Sequence, residues 1–257
     1  MSSPTLGVTT APAPAERART LALGVVTGVV HLPALTGESG GTKAYRVQQL
    51  TTPDGEIALL VQTGTELHRR LRLIIGSTDL ADVPSVLDIL DVPPGQLCLP
   101  RARLCVTGWV EEPDPAAQRT LAGRIAAARP LGALLDVGEG WTLYRFDVGE
   151  IRVTTGAGTH IVEPAEFTAA EPDPLYESED HVVGHLEAHH QDETIGYALR
   201  ELAAASVTEV TVVGLDRYGL DLLCAVGPVY RALRAPFGCK VSDEESLSRA
   251  LRRLLET

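Results

Sequence analysis

The sequence predicts an α+β protein in which a small barrel of antiparallel strands precedes a small α+β domain. Up to about residue 165, short β-branched or alternating segments follow one another between turn residues, with two or three helices among them. An acidic, proline-containing stretch then leads to a helix, a hairpin and a capped final helix. These observations divide the chain into a flexible tail at 1–14, a barrel domain at 15–167, an acidic linker at 168–180 and a C-terminal domain at 181–257.

The barrel domain is predicted from apolar, β-branched segments bounded by glycine and proline. Strands are expected at 24–31, 45–50, 57–62, 73–76, 103–111, 141–147, 151–155 and 159–162. Helices are expected at 15–23, at 65–72 behind the capping residue Thr65, and from Asp114 to about Ala128. A turn is expected at Gly149, and a glycine-rich loop at 37–42.

The C-terminal domain is predicted to begin with one amphipathic helix, whose apolar positions run from Val183 to Leu202. Strands at 208–213 and 220–226 form a hairpin around 216–219, and a further strand is expected at 229–233. Ser242, followed three residues later by Glu245, predicts a capping box that starts the last helix.

Composition excludes several classes of protein. Hydrophobic residues make up 44% of the 257 residues and the mean hydropathy is +0.07, so the chain is able to build cores and is not disordered. The net charge of −12 argues against nucleic acid as a partner, because phosphate binding relies on clustered Lys and Arg. No apolar run approaches the roughly 20 residues that span a bilayer.

The cellular compartment is predicted from the N-terminus and the cysteines. The first 19 residues lack the basic start and apolar core of a secretion signal. None of the four cysteines forms a C-x-x-C pair. A reducing cytoplasm is therefore expected. The four are Cys98, Cys105, Cys224 and Cys239.

Several C-terminal segments together carry a family resemblance. The segment 185–190, the Gly214-Leu215-Asp216-x-x-Gly219-Leu220 hairpin, Pro236-Phe237 and the final helix resemble the C-terminal domain of haem-utilisation proteins. In that family the domain follows an FMN-binding-like split β-barrel related to pyridoxamine 5′-phosphate oxidases and flavin reductases. The strand at 103–112 with its following helix, the strand at 141–147 and Gly156-Ala157-Gly158 are similar to that barrel. The resemblance implies haem as cofactor and a homodimer.

The chain departs from the family at two places. The family helix reads His-Met-Asn-x-Asp-His, whereas Leu186, Glu187 and His189 stand here at three of those positions. His185 and His190 keep the flanking histidines, and Asp216 keeps the acidic position of the hairpin motif. Some bacterial relatives ligate haem iron through a histidine near the C-terminus. This chain ends Arg-Arg-Leu-Leu-Glu-Thr, so that ligand cannot be carried over.

The histidines are the candidate ligands for haem iron. His160 follows the glycine break at 156–158, where a flat cofactor could approach closely, so it is predicted as an axial ligand; the alternative is an ordinary strand-end histidine. His31 is a less favoured candidate. Cys98 and Cys105 are conceivable thiolate ligands, although buried free cysteine is the commoner state.

A basic cluster surrounds His68. Arg69, Arg70 and Arg72 would suit haem propionates or a flavin phosphate, because guanidinium groups match both carboxylate and phosphate. The alternative is a solvated basic helix face.

His185 and His189 lie four residues apart, so both face one side of a helix and could bind a transition metal. No third ligand is evident, and Leu186 stands where a zinc protease has glutamate. In the alternative interpretation, His185 and His190 fix the helix against the hairpin.

Three functions follow from these interpretations. The first is a haem-binding protein resembling split-barrel haem oxygenases, which handles or degrades a tetrapyrrole. The second is an oxidoreductase that uses FMN or deazaflavin in the same barrel. The third is a non-enzymatic regulator of tetrapyrrole metabolism. No G-x-S-x-G elbow and no phosphate-binding G-x-x-x-x-G-K-[S/T] loop is present in the sequence.

Overall fold

The computed structural model describes residues 11–35, 41–77, 82–92, 100–203 and 206–255. Most of the tail predicted at 1–14, most of the glycine-rich loop predicted at 37–42, and Cys98 lie outside these ranges. The chain divides into two compact units. The first comprises Pro14–Asp91 and Pro100–Pro172, and the second contains the residues from Asp173 onward.

The first unit is a large antiparallel sheet with helices around it. Its described strands are β1 (Gly28–Pro33), β2 (Thr42–Thr51), β3 (Ile57–Gln62), β4 (Asp82–Asp91), β5 (Ala102–Glu111), β6 (Trp141–Thr155) and β7 (Gly158–Val162). Its described helices are α1 (Pro14–Ala22), α2 (Glu66–Ser77), α3 (Pro115–Ala128) and α4 (Pro164–Ala169), with a short 3₁₀ helix at Gly132–Asp136.

The strand order is β3-β2-β1-β4-β5-β6-β7, and β3 also pairs with β6. Every one of these pairings is antiparallel. Because β3 pairs with both β2 and β6, six strands form a closed series of neighbours, and β7 adds to β6 alone. The expected hairpin of β2 and β3 is confirmed.

Local sequence explains why these elements form. Residues of β5 alternate between buried and exposed positions, as expected for a strand with one face on a core. Helix α3 starts where Asp114 accepts hydrogen bonds from the backbone N–H groups of Ala116 and Ala117, at 2.8 and 2.9 Å, with Pro115 in the first turn.

The structure differs from the sequence expectations at several points in this unit. Residues 73–76 are not a strand but continue α2, because Leu71 and Ile74 are buried at helical spacing. Strand β4 and helix α4 were not predicted. Residues 141–155 form one strand, not two.

Gly149 is the extra residue of a β-bulge and makes no turn, since Thr107 pairs with Glu150 while Gly108 pairs with Val148. A side chain at Gly149 would press on the Trp109 ring, with a Cβ only 3.1 Å from Cζ3.

The second unit packs helices on a three-stranded antiparallel sheet of order β10-β9-β8. Its described elements are α5 (Glu179–His189), α6 (Gln191–Glu201), β8 (Glu209–Asp216), β9 (Gly219–Val226), β10 (Val229–Pro236) and α7 (Glu244–Leu255). Val183 and Leu186 of α5 share a buried core with Leu215 and Leu220 of the hairpin.

Residues 173–180 of the predicted linker also belong to this unit. Asp173 accepts hydrogen bonds from the backbone N–H groups of Leu175 and Arg217, at 2.8 and 2.7 Å, and buried Glu179 accepts one from Leu215 at 2.8 Å.

Two expectations change in this unit. The predicted single helix is two, because the backbone of His190 (φ −129°, ψ 27°) ends α5 and starts α6. The last helix is capped by Asp243 rather than Ser242: Asp243 accepts from the Ser246 N–H at 2.8 Å, and Ser246 Oγ accepts from the Asp243 N–H at 3.1 Å. Among the described residues, no helix combines the length and apolarity that crossing a membrane would require.

Candidate functional site

The exposed face of α2 is the best-defined cluster of predicted site residues. Thr65 precedes the helix, and its carbonyl accepts the N–H of Arg69 at 3.0 Å. Leu67, Leu71 and Ile74 turn inward and are buried, so the opposite face is left outside. We call this opposite face the α2 face; its members are His68, Arg69, Arg72 and Leu73, of which His68 is half-buried and the other three are exposed.

His68 is held by Tyr144 of β6. Its Nδ1 lies 3.2 Å from the Tyr144 hydroxyl oxygen, and the two rings meet edge to face with centroids 6.3 Å apart. Burial raises the pKa of the Tyr144 hydroxyl, and the negative charge of Glu112 raises it further, so Tyr144 stays protonated at neutral pH. The contact fixes the imidazole ring and leaves Nε2 as its second nitrogen.

The three predicted arginines have different environments. Arg72 forms an ion pair with Glu112 at 2.6 Å, and this hydrogen-bonded partner raises the pKa of Arg72. Arg69 donates to the Gly64 carbonyl at 2.5 Å and remains exposed. Arg70 is buried and donates to the Pro33 carbonyl at 2.8 Å. Arg69 and Arg72 are therefore available to a ligand at the surface, whereas Arg70 anchors α2 to β1.

His31 and His160 are not part of this cluster. His31 is half-buried on β1, where it pairs with Ala44 of β2 and Val86 of β4. It lies two residues before Pro33, whose carbonyl accepts a hydrogen bond from Arg70. His160 is exposed on β7, which packs on β6 and α1, whereas α2 packs on β3 and β4. Within the described ranges no hydrogen bond, ion pair or ring contact holds the His160 side chain.

Cys105 is a weak candidate for a thiolate ligand. It lies half-buried on β5, where burial and the neighbouring charge of Asp88 raise the pKa of its thiol. At neutral pH it is therefore a neutral thiol, which disfavours it as a thiolate ligand.

The C-terminal histidines form a separate cluster. The His185 ring centroid lies 5.0 Å from that of His189 and 5.3 Å from that of His190. His190 Nδ1 lies 3.4 Å from a carboxylate oxygen of Glu193. Among the described residues, no three His, Cys, Asp or Glu side chains are arranged as a ready-made metal site. His185 is exposed, and it is Val183 and Leu186 that belong to the core shared with the hairpin.

Asp216 has a structural environment at the β8–β9 turn. Its side chain accepts the Tyr218 N–H at 2.8 Å and an Arg234 guanidinium N–H at 2.5 Å. Arg234 also reaches Asp221 at 3.1 Å. The carboxylate of Asp216 thus ties the hairpin turn to β10.

Sequence reasoning missed Tyr144 and Glu112. Tyr144 follows His68 by 76 residues and Glu112 follows Arg72 by 40, so no local spacing links either pair. The available signal was a tyrosine inside a buried strand, because a buried hydroxyl normally has a hydrogen-bond partner.

The elements define a mixed α+β protein with a large antiparallel sheet and several helices. Over nearly its full length, this arrangement is similar to the solved structure of a haem-binding protein from Mycobacterium smegmatis. That structure is 24% identical, the match covers 96% of this chain and 98% of that one, and the TM-score is 0.62. The likeness establishes a shared fold.

Two weaker similarities accompany it. A Clostridium acetobutylicum protein related to general stress protein 26, of the pyridoxinephosphate oxidase family, is 18% identical over 55% of this chain and 87% of its own, with a TM-score of 0.35 that supports no conclusion. An uncharacterised Arabidopsis thaliana protein is 26% identical over 117 residues, which are 44% of this chain and only 23% of that protein. No family model matches the chain.

Proposed function

We propose that this protein binds haem on the α2 face, in a split β-barrel, and acts in haem handling. The observation that carries the proposal is the Tyr144-supported imidazole of His68, set among exposed guanidinium groups. The full-length likeness in fold to a haem-binding protein supports the same choice of cofactor. The closed series of six strand pairings supports the barrel.

The chemistry of the α2 face suits haem. With its proton on Nδ1, His68 donates to the Tyr144 oxygen, and the Nε2 lone pair is free for iron. An imidazole whose other nitrogen is hydrogen-bonded is the usual form of a histidine that binds a metal. Haem, once bound, would supply the oxygen chemistry, and the protein would supply ligation and orientation.

The other groups of the α2 face match the rest of a haem molecule. Arg72 follows His68 by one helical turn, and Arg69 lies beside it, so both guanidinium groups can meet propionates near the imidazole. Leu73 is 55% exposed and offers an apolar contact to the porphyrin ring. Arg72 would share its charge between a propionate and Glu112. Arg70 would hold the helix in place through Pro33.

His160 remains the ligand predicted from the sequence. Its exposure leaves room for haem, but its imidazole lacks a hydrogen-bond partner among the described residues to fix the ring. The family resemblance also suggests a homodimer in which each subunit completes its partner's cleft.

An FMN or deazaflavin oxidoreductase is the second candidate, because Arg69 and Arg72 would also suit a phosphate. The ion pair of Arg72 with Glu112 weighs more against a phosphate, which carries up to two negative charges on one group, than against a propionate, which carries one. The proposal therefore places haem first. A regulator that binds a protein of tetrapyrrole metabolism would need neither cofactor.

Parallel titrations decide between these functions. Purified full-length protein is titrated with haem, FMN and a deazaflavin, and the absorbance spectrum is followed. We expect one haem per chain with a shifted Soret band, and no stoichiometric change with either flavin. Stoichiometric flavin binding without haem binding would establish the second candidate, and binding of none of the three would leave the regulator.

A further inference from the structure

We infer that the second unit carries a binding site for a divalent transition-metal ion, of which Zn²⁺ is the simplest example, with His185 and His190 as its two protein ligands. The site is independent of the α2 face and of haem. The remaining coordination positions would be filled by water.

The separation of the two rings fits a shared metal ion. In tetrahedral zinc sites an imidazole nitrogen lies about 2.0–2.1 Å from the metal, so each ring centre lies roughly 3.2 Å away and two ring centres roughly 5.2 Å apart. The centroids of His185 and His190 are 5.3 Å apart. The two rings meet edge to face, with 61° between their planes, and the exposed His185 side chain would rotate to aim its nitrogen at the ion.

The break between α5 and α6 creates this pair. Residues five apart do not share the face of a continuous helix as residues four apart do. Because the backbone of His190 leaves the helical conformation, its ring comes back beside that of His185.

Glu193 in the first turn of α6 approaches His190 Nδ1 to 3.4 Å, so Nε2 is the nitrogen that would bind the metal. A carboxylate behind a ligating imidazole is the usual support of a metal-binding histidine.

A groove beside the pair gives a metal ion access and room for water ligands. The groove has a volume of about 340 Å³ and is bounded by α5, α6 and α7. His185, His190, Glu193 and Arg252 line it, whereas His189 does not. This difference favours the pair of His185 with His190 over the pair of His185 with His189, whose centroids are 5.0 Å apart.

Helical spacing alone would give a different set of ligands, and this makes the inference testable. His181 and His189 both lie four residues from His185, so any two-histidine helix site could use either of them. Both are exposed, and replacing them removes an imidazole without disturbing a core. His181→Ala and His189→Ala are therefore the matched controls for His190→Ala.

The experiment is isothermal titration of full-length, haem-free protein with Zn²⁺, repeated with competition from a chelator of known affinity. We expect one Zn²⁺ per chain. His185→Ala and His190→Ala should each weaken binding about tenfold or more, as expected for the loss of one of two protein ligands. His181→Ala and His189→Ala should stay within about twofold of the wild type.

Glu193→Gln, which keeps the shape of the side chain, should weaken binding by less than His190→Ala does. Circular dichroism of each variant checks the fold, and His185→Gln provides a second test at the exposed ligand.

Equal losses in His181→Ala and His185→Ala, a greater loss in His189→Ala than in His190→Ala, or binding that survives His185→Ala and His185→Gln would each overturn the inference.

Discussion

Tyr144→Phe tests the support of the imidazole, because it removes one hydroxyl and keeps the buried ring. Tyr144 is fully buried, and its hydroxyl lies 3.2 Å from His68 Nδ1. A neutral hydrogen bond contributes about 0.5–1.5 kcal/mol. If that free energy holds the imidazole in its iron-binding orientation, its loss weakens haem binding about 2- to 12-fold, because about 1.4 kcal/mol corresponds to a factor of ten. Chain stability should fall by about 1 kcal/mol or less, since His68 is half-buried and can bind water instead.

The assay for Tyr144→Phe is a haem titration followed at the Soret band, together with urea unfolding. Tyr197→Phe is the control, because Tyr197 is buried in the second unit and belongs to the core there. It should leave haem affinity unchanged. Wild-type haem affinity in folded Tyr144→Phe, or an equal loss in Tyr197→Phe, would refute the role of the Tyr144–His68 contact.

Three further predictions concern the folding of the two units. Gly108→Ala places a Cβ against the Asp147 carbonyl oxygen at the bulge and should destabilise the chain by about 2 kcal/mol or more in urea unfolding. Gly123→Ala on exposed α3, where a Cβ meets nothing, should instead be neutral or stabilising, and equal effects of the two would contradict this reasoning.

Hydrogen bonds from the N–H groups of Ala117 and Ala116 lower the pKa of Asp114 in the folded chain. The ionised carboxylate therefore stabilises the fold fully above the pKa of unfolded Asp114, and this contribution is lost as the pH falls through the lower pKa of the folded state. Asp114→Asn should therefore flatten the fall of unfolding free energy below about pH 4, and an unchanged slope would argue against the cap. Arg234→Ala leaves the mostly buried carboxylate of Asp216 without its ion pair and should cost about 1.5–3 kcal/mol, with faster amide exchange in β9 and β10. Unaltered exchange there would contradict the structural role given to Asp216.

The sequence was most informative where a signal is local. The β2–β3 hairpin, α3 with its Asp114 cap and strand β5 were all predicted, because turn residues, a cap and alternation lie within a few positions of one another. Strand β4 is not predicted, because proline at position 84 is unusual inside a strand. The alternation is nevertheless present, since every second side chain is buried: Val83, Ser85, Leu87 and Ile89. Gly149 predicted a turn, and only its pairing with β5 reveals a bulge.

The candidate site could be predicted only in part. His68 and the arginines were visible as a basic cluster on a helix, but nothing local distinguishes buried Arg70 from exposed Arg69. Tyr144 and Glu112 reach the site through strand pairing, which sequence spacing does not reveal. In the second unit, the spacing of His185 and His189 pairs them on one face of a continuous helix. The break at His190 brings the His190 ring beside that of His185 as well, which a continuous helix would exclude.

Haem titration of His68→Ala beside His160→Ala tests the central claim most directly. Both histidines can be replaced without opening a core, because His68 is half-buried and His160 is exposed. We predict that His68→Ala loses the wild-type Soret shift or weakens binding at least about tenfold, while His160→Ala retains both. Wild-type binding and spectrum in His68→Ala, with their loss in His160→Ala, would show that the iron ligand is His160 on β7 and not His68 on α2, and would contradict the account.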